Sequence, residues 1–254
     1  MANLSTPAIV LRVLTHGEYD KIITLFTSTQ GLVSVIAKGA KKSKRRFSGV
    51  LELFSVLEVV WSHGTKKGLP VLQEASVVHC FETIRKNIVK MAYASCWTEM
   101  VYAWMEKGES HLSIFELLRS SLELLDKNVV SDELLSIHFQ TNFMAEIGFQ
   151  PRLDKCLACN IPLEKFPTQF AEFSLPRGGL LCQRCWGTRP NSLTLSIGTV
   201  KHLQWILKNS RDKALRLRLS DSAINESFRF LDGFVSYYLG RNLKTLKFIR
   251  QVCR

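Results

Sequence analysis

Over the first 78 residues, apolar and polar positions follow the two-residue period of strands. Ala8 to Leu14, Lys21 to Thr27, Leu32 to Lys38, Val50 to Trp61 and Val71 to Val78 are rich in Val, Ile, Leu and Phe. In the second run Ile22, Thr24 and Phe26 share one face, and in the fourth Glu52 and Glu58 supply polar positions on one side. His16-Gly17, Thr29-Gln30-Gly31, Gly39 and the stretch from Gly64 to Pro70 interrupt the runs. Five short strands with no crossover helix predict a small barrel of OB-fold type, although the strand count alone also suits an SH3-like barrel.

From Phe81 the period becomes helical. Ile84, Ile88, Met91, Ser95, Met100, Val101 and Trp104 recur every three or four residues and predict one long amphipathic helix over 81–106. A second helix is expected over 112–126. A third begins at an N-cap, Ser131, followed by Asp132 and Glu133, and stops at Gly148 with Pro151 beyond. Helices are expected again near 197–209 and 221–239, the latter carrying Ile224, Phe228, Leu231, Val235 and Tyr238, and a basic helix over about 241–251 closes the chain.

Between these helices stand Cys156-x-x-Cys159 and Cys182-x-x-Cys185, separated by 22 residues. Each C-x-x-C turn converges two thiolates, and two turns make the closed tetrahedral four-sulfur shell that Zn²⁺ prefers in structural sites. Phe170 to Leu175 is expected to form a strand there, with Arg177-Gly178-Gly179 as a returning turn. Four cysteines also suit an iron–sulfur cluster. Thioredoxin-like chemistry needs a βαβ unit that the pattern does not show. Cys80, Cys96 and Cys253 read as buried or incidental thiols. The expected fold class is therefore α+β: an N-terminal five-stranded OB-fold β-barrel, residues 1–79, followed by an all-α domain, residues 80–254, with an inserted four-cysteine zinc module at about 152–190.

Composition adds a partner. The 254 residues carry a net charge of +12. That charge is divided as +5 over residues 1–78, −1 over 79–199 and +8 over 200–254. Two basic ends around a neutral middle point to a polyanion, nucleic acid before membrane. No apolar run approaches the ~20 residues of a membrane span. Arg12 interrupts the one apolar stretch near the N-terminus, so a secretory signal is not expected and a cytoplasmic location is.

The sequence contains no G-x-S-x-G, P-loop, G-x-G-x-x-G or H-E-x-x-H pattern, and its six histidines stand singly. Binding without catalysis is the expectation. Its densest carrier is Lys38, Lys41, Lys42, Lys44, Arg45 and Arg46, a flexible loop after the third strand, free of acids, with Phe47 as its adjoining aromatic. Six cations engaged on a single strand would give a salt slope near −4. Aromatics interleave too sparsely for a base-stacking platform, which favours backbone contact. Lys208, Arg211, Lys213, Arg216 and Arg218, then Arg241 and Lys244, form a secondary basic surface, with Lys247, Arg250 and Arg254 beyond; Leu217 and Leu219 alternate with arginines. Glu18 and Asp20 read as turn or capping acids.

The order of several short motifs resembles a known family. Gly17-Glu18-Tyr19-Asp20 leads into Ile23-Thr24-Leu25-Phe26-Thr27. Gly31, Ala37-Lys38-Gly39-Ala40-Lys41-Lys42 and Arg46-Phe47-x-Gly49-x-Leu51-x-x-Phe54 follow. With the long helix and both C-x-x-C pairs, the chain is similar over essentially its whole length to the bacterial recombination mediators of the RecO family. That resemblance implies an OB-fold joined to a helical domain with a zinc module. It implies binding of single- and double-stranded DNA, annealing of complementary strands and, with RecR, help for RecA in replacing single-strand-binding protein, with no enzymatic step. It also implies a place in the cytoplasm at the nucleoid. A zinc-stabilised protein-interaction adaptor with incidental DNA contact is the alternative. Titrating single-stranded DNA at several salt concentrations separates them.

Overall fold

A computed structural model describes residues 4–43, 46–62, 68–187 and 191–252. They group into two compact units, one of residues up to Lys127 together with those from Phe248, the other Asn128–Lys247. The expected division at residue 79 marks the change from strands to helices, whereas the compact grouping places the first three helices with the barrel.

Five strands form the barrel of the first unit: β1 (Leu4–His16), β2 (Asp20–Thr27), β3 (Gly31–Ala37), β4 (Val56–Ser62) and β5 (Val71–His79). Their order, β1-β2-β3-β5-β4, is closed by β1 pairing with β4, and β3 meets β5 in parallel at Ile36 and Val71. This is the Greek-key order of an OB-type barrel, the distinction that a strand count could not draw. The interior is filled by Ala8, Val10, Ile23, Leu25, Val35, Leu57, Val59, Trp61 and Leu72. The face of β2 that carries Ile22, Thr24 and Phe26 points away from that interior.

The fourth expected strand is shorter than its apolar pattern. Residues from Val50 to Ser55 turn instead, with Phe54 at φ 70° and Gly49 at φ 68°. Leu51 and Phe54 are buried, so their apolar character serves a turn packed against the barrel and not an extension of β4.

Helices α1 (Glu82–Lys86) and α2 (Ile88–Trp104) replace the single helix expected over 81–106. The break falls at Asn87, whose Oδ1 accepts from the backbone N–H groups of Val89 at 2.9 Å and Lys90 at 3.2 Å. An Asn side chain there caps a new helix more effectively than it continues the old one. Helix α2 is buried on most sides, while Ile88, assigned by its spacing to an apolar stripe, is exposed. Helix α3 (Leu112–Lys127) sets Phe115 against Phe26 on the outer face of β2, ring centroids 6.0 Å apart.

In the second unit, α4 (Asp132–Glu146) starts where expected, Ser131 Oγ accepting from Leu134 N–H. After the cysteine segment, which includes a 3-10 turn at Leu163–Lys165, come β6 (Phe170–Ser174), β7 (Gly179–Leu181) and β8 (Ser192–Ser196), an antiparallel sheet in the order β7-β6-β8. This half is therefore helical around a small sheet; β8, five residues of Ser, Leu and Thr, carries no strong local strand signal. Helices α5 (Ile197–Lys208), α6 (Arg211–Ala214) and α7 (Asp221–Leu239) follow, and α8 (Lys244–Val252) begins in this unit and ends among the residues grouped with the first. Phe230 and Phe234 of α7 pack on Phe173 of β6 and on each other, and Tyr238, one turn further, packs on Phe234, with centroids 4.9–5.5 Å apart. The buried line of α7 thus runs through Phe230 and Phe234 and not through Ile224 and Phe228, because the sheet beneath selects the face.

His138 is buried in α4, and its Nδ1 has no hydrogen-bond partner among the described residues. Its pKa is pushed down to about 4, by burial first and then by the Arg211 guanidinium. The folded value lies below the unfolded one, so stability is full above pH 6.5 and falls as pH drops towards 4. The expected slope is about 1.4 kcal/mol per pH unit at most. Urea titrations at pH 7 and pH 5 should show this loss in the native protein and a smaller one in His138→Gln; equal losses would exclude the assignment.

Candidate metal centre and nucleic-acid interface

Two backbone knuckles build the cysteine cluster. In the first, Cys156 N–H bonds to the Ile161 carbonyl at 2.9 Å, Asn160 N–H returns to the Cys156 carbonyl at 3.0 Å, and Asn160 takes φ 60°. In the second, the N–H groups of Cys185 and Trp186 both reach the Cys182 carbonyl at 2.9 Å. The chain leading into Cys156 lies along β7, with Arg152 N–H on the Gly178 carbonyl, Leu180 N–H on the Arg152 carbonyl and Leu157 N–H on the Leu180 carbonyl. Since β7 runs straight into Cys182, this pairing holds the two knuckles face to face. The space at Gly179 is needed for it, since a Cβ there would lie 2.9 Å from the Arg152 carbonyl oxygen.

All four Sγ atoms lie within 4.8 Å of one another. The Cys159 and Cys182 sulfurs are 3.6 Å apart, far beyond a disulfide bond, and the cysteines are free thiols. Sulfurs at the corners of a tetrahedron with metal–sulfur bonds of about 2.3 Å would stand about 3.8 Å apart. The donor set therefore fits a tetrahedral thiophilic ion and leaves no open position. Burial raises the Cys156 thiol, but hydrogen bonds from backbone groups of Cys159, Cys182 and Ala158 outweigh this and bring it to about 6. Cys185 is pushed up to about 12, chiefly by its hydrogen bonding with Cys159, and Cys182 is raised, chiefly by burial. Thiolates this close resist further ionisation unless a cation joins them. The surrounding apolar cluster is small: Cys156, Leu181 and Cys182, with Leu157, Ile161, Phe166 and Cys185 partly buried against it.

The basic loop closes one end of the barrel. Ala40, Phe47 and Leu51 are part of the barrel core. The N–H groups of Lys42 and Ser43 bond to the Gly39 carbonyl, and Ser43 Oγ accepts from the N–H groups of Arg46 and Phe47. Its described part is thus an anchored turn and not the flexible loop expected from composition. The β1–β2 turn braces it: Gly39 N–H bonds to Asp20 Oδ1 at 2.7 Å, Lys41 N–H to the Tyr19 carbonyl at 2.9 Å, and Lys41 Nζ to the Gly17 carbonyl at 3.0 Å. Asp20 is a capping acid, as its sequence context suggests. Lys38, Lys41, Lys42 and Arg46 are exposed and form no ion pair with any described residue. Lys44 and Arg45 lie outside the described residues.

Phe47, the aromatic expected beside these cations, is 4% exposed, with the Arg46 guanidinium 4.4 Å from its ring centroid. The accessible aromatic is Tyr19, contributed by the neighbouring turn and separated from the loop by some twenty positions of sequence; composition alone carried no sign of it.

Lys208, Arg211, Lys213, Arg216 and Arg218 are all exposed, and Arg216 and Arg218 alternate with half-buried Leu217 and Leu219. Only Arg211 among these five has a described acid near it, Asp212 at 4.0 Å. Arg241 and Lys244 are exposed too. The side chains of Lys247 and Arg250, and all of Cys253 and Arg254, lie outside the described residues. No helix of the described residues is long and apolar enough to cross a membrane.

A closed OB-type barrel capped by a basic turn, followed by a helical half that carries a four-cysteine knuckle, defines the class: a two-part α+β protein with a candidate thiolate metal centre. Residues 1–81 match the family described as Recombination protein O N terminal, and residues 85–247 that described as Recombination protein O C terminal. The chain belongs to the recombination protein O family. The DNA repair protein RecO of Desulfatibacillum aliphaticivorans is 39% identical over 255 residues, spanning 100% of this chain and 99% of its own length. The protein of the same name from Desulfosudis oleivorans is 36% identical, with 99% of both chains covered. That from Bacillus pumilus is 30% identical over 98% of this chain and 94% of its own.

Proposed function

We propose that this protein is a non-enzymatic, DNA-binding recombination mediator of DNA repair in the cytoplasm, at the nucleoid. Residues 1–79 form its principal nucleic-acid domain, and residues 80–254 carry the zinc module and the partner surfaces. The observation that carries this reading is the group of exposed cations Lys38, Lys41, Lys42 and Arg46, unpaired with any described acid, on a turn anchored in the barrel. Together with Lys44 and Arg45 they bind the phosphates of single- or double-stranded DNA. The second surface is formed by Lys208, Arg211, Lys213, Arg216 and Arg218, with Arg241 and Lys244. Two strands held through their phosphates repel each other less, so complementary bases pair more readily and annealing needs no nucleotide. RecR, single-strand-binding protein and RecA are the proposed partners of that step.

Replacing Lys38, Lys41, Lys42 and Arg46 together by Ala should reduce the magnitude of the single-strand salt slope by about three. Annealing should slow in parallel, while the melting temperature changes little, because exposed charges outside ion pairs contribute little to stability. Unchanged binding in that variant, measured by anisotropy from about 50 to 300 mM salt, would remove the loop from the function. The donor set of Cys156, Cys159, Cys182 and Cys185 is assigned to one structural Zn²⁺ per chain, which elemental analysis reads directly; iron with visible absorption would replace that assignment.

A further inference from the structure

We propose that Tyr19 is a base-stacking platform that gives the basic turn its preference for single-stranded over duplex DNA. This rests on the reading of that turn as a DNA surface, and it names the side chain that reads bases there.

Three observations converge. Tyr19 is 44% exposed in the β1–β2 turn, and its hydroxyl makes no hydrogen bond with a described residue. Its backbone, by contrast, is held: the Tyr19 carbonyl accepts from Lys41 N–H, the Gly17 carbonyl from Lys41 Nζ, and the Asp20 carboxylate from Gly39 N–H. The ring therefore stands on a fixed base without being buried by it. Finally, Lys42 Nζ lies 3.5 Å from the ring centroid, so a cation occupies the face that a base would use.

Exposed cation–π contacts are weak, and an ammonium binds a phosphate oxygen more strongly than a ring face. When a single strand arrives, Lys42 transfers to a phosphate and an unpaired base takes its place on the ring. Lys38, Lys41 and Arg46 hold the flanking phosphates. In a duplex both faces of each internal base are already stacked, so the same surface gains only its phosphate contacts. The aromatic is single and carries no base-edge hydrogen-bonding pattern, so the preference is for strandedness and not for sequence.

The test uses the full chain and three probes of equal length: oligo(dT), the same backbone with abasic sites, and a duplex. Tyr19→Ala should weaken binding to oligo(dT) by roughly 5- to 100-fold. It should leave abasic and duplex binding within about two-fold and the salt slope unchanged, because no phosphate contact is lost. Tyr19→Phe and Tyr19→Trp should restore binding to oligo(dT). Equal weakening on oligo(dT) and abasic DNA would overturn the proposal by showing that the ring only braces the loop. No weakening on either would overturn it by placing the ring outside the interface. The quadruple Ala variant of the turn separates the two readings. If it binds normally, the loop assignment has failed; if it binds weakly while Tyr19→Ala is neutral, only the stacking assignment has.

Discussion

Cys182→Ser is expected to abolish metal binding at the four-cysteine cluster and unfold the cysteine module while leaving the barrel folded. The apolar cluster at the sulfurs is small, with Cys156, Leu181 and Cys182 buried and four partly buried side chains around them. So small a core does not offset the entropy of ordering the two knuckles. In small zinc domains the ion supplies the difference, about 10–16 kcal/mol of apparent binding free energy at neutral pH. Removing one sulfur opens the shell and leaves three thiols near one another in the conditions that push Cys185 up to about 12. The sheet also suffers, because β7 runs directly into Cys182 and the Arg152–Leu157 segment is paired along it. Zinc release to a chromogenic chelator, limited proteolysis between β6 and β8, and calorimetry would show the change. Cys80→Ser, at a half-buried thiol remote in sequence from the cluster, is the control and should retain the metal. A Cys182→Ser protein that melts like the native one would refute a structural metal.

Gly31→Ala should cost roughly 3–5 kcal/mol, against about 1–2 kcal/mol for the same change at Gly17. Both glycines have positive φ, 59° and 55°, so both substitutions carry the left-handed penalty. They differ in what the new methyl group meets. At Gly17 nothing lies within 4 Å, whereas at Gly31 a Cβ would fall 2.1 Å from the Glu109 carbonyl oxygen and 2.7 Å from that of Glu106. Backbone, not a flexible side chain, must then move. The displaced segment is the one that staples the β2–β3 turn. Leu32 N–H bonds to the Glu106 carbonyl, Gly108 N–H to the Gln30 carbonyl, and Ser110 Oγ to the Ser28 carbonyl. Urea unfolding of the two variants measures the difference directly, and equal losses would mean that the staple yields without cost.

How far the chain can be read from its residues varies by element, for physical reasons. Ser131 is legible as a helix start because an N-cap is satisfied within its own turn. Asn87 follows the same chemistry, but a periodic apolar pattern continuing past it masks the break. Phe54 and Leu51 read as strand because apolar residues signal burial without saying whether the chain is extended. In α7 the choice between Phe228 and Phe230 as core depends on Phe173, about sixty residues earlier. The candidate interface divides likewise. Its cations stand together in the sequence, whereas the aromatic expected beside them, Phe47, is buried by the barrel, and the exposed ring comes instead from Tyr19.

By itself, then, the sequence determined the features that short-range chemistry sets: strand and helix periods, caps, the two C-x-x-C knuckles and the run of positive charge. The tertiary structure alone decided which β-strands became neighbours, which side of α7 met the sheet, how the knuckles came face to face and which ring was left beside the lysines. Those outcomes depend on contacts between segments far apart along the chain, where burial of one surface is defined only by the arrival of another.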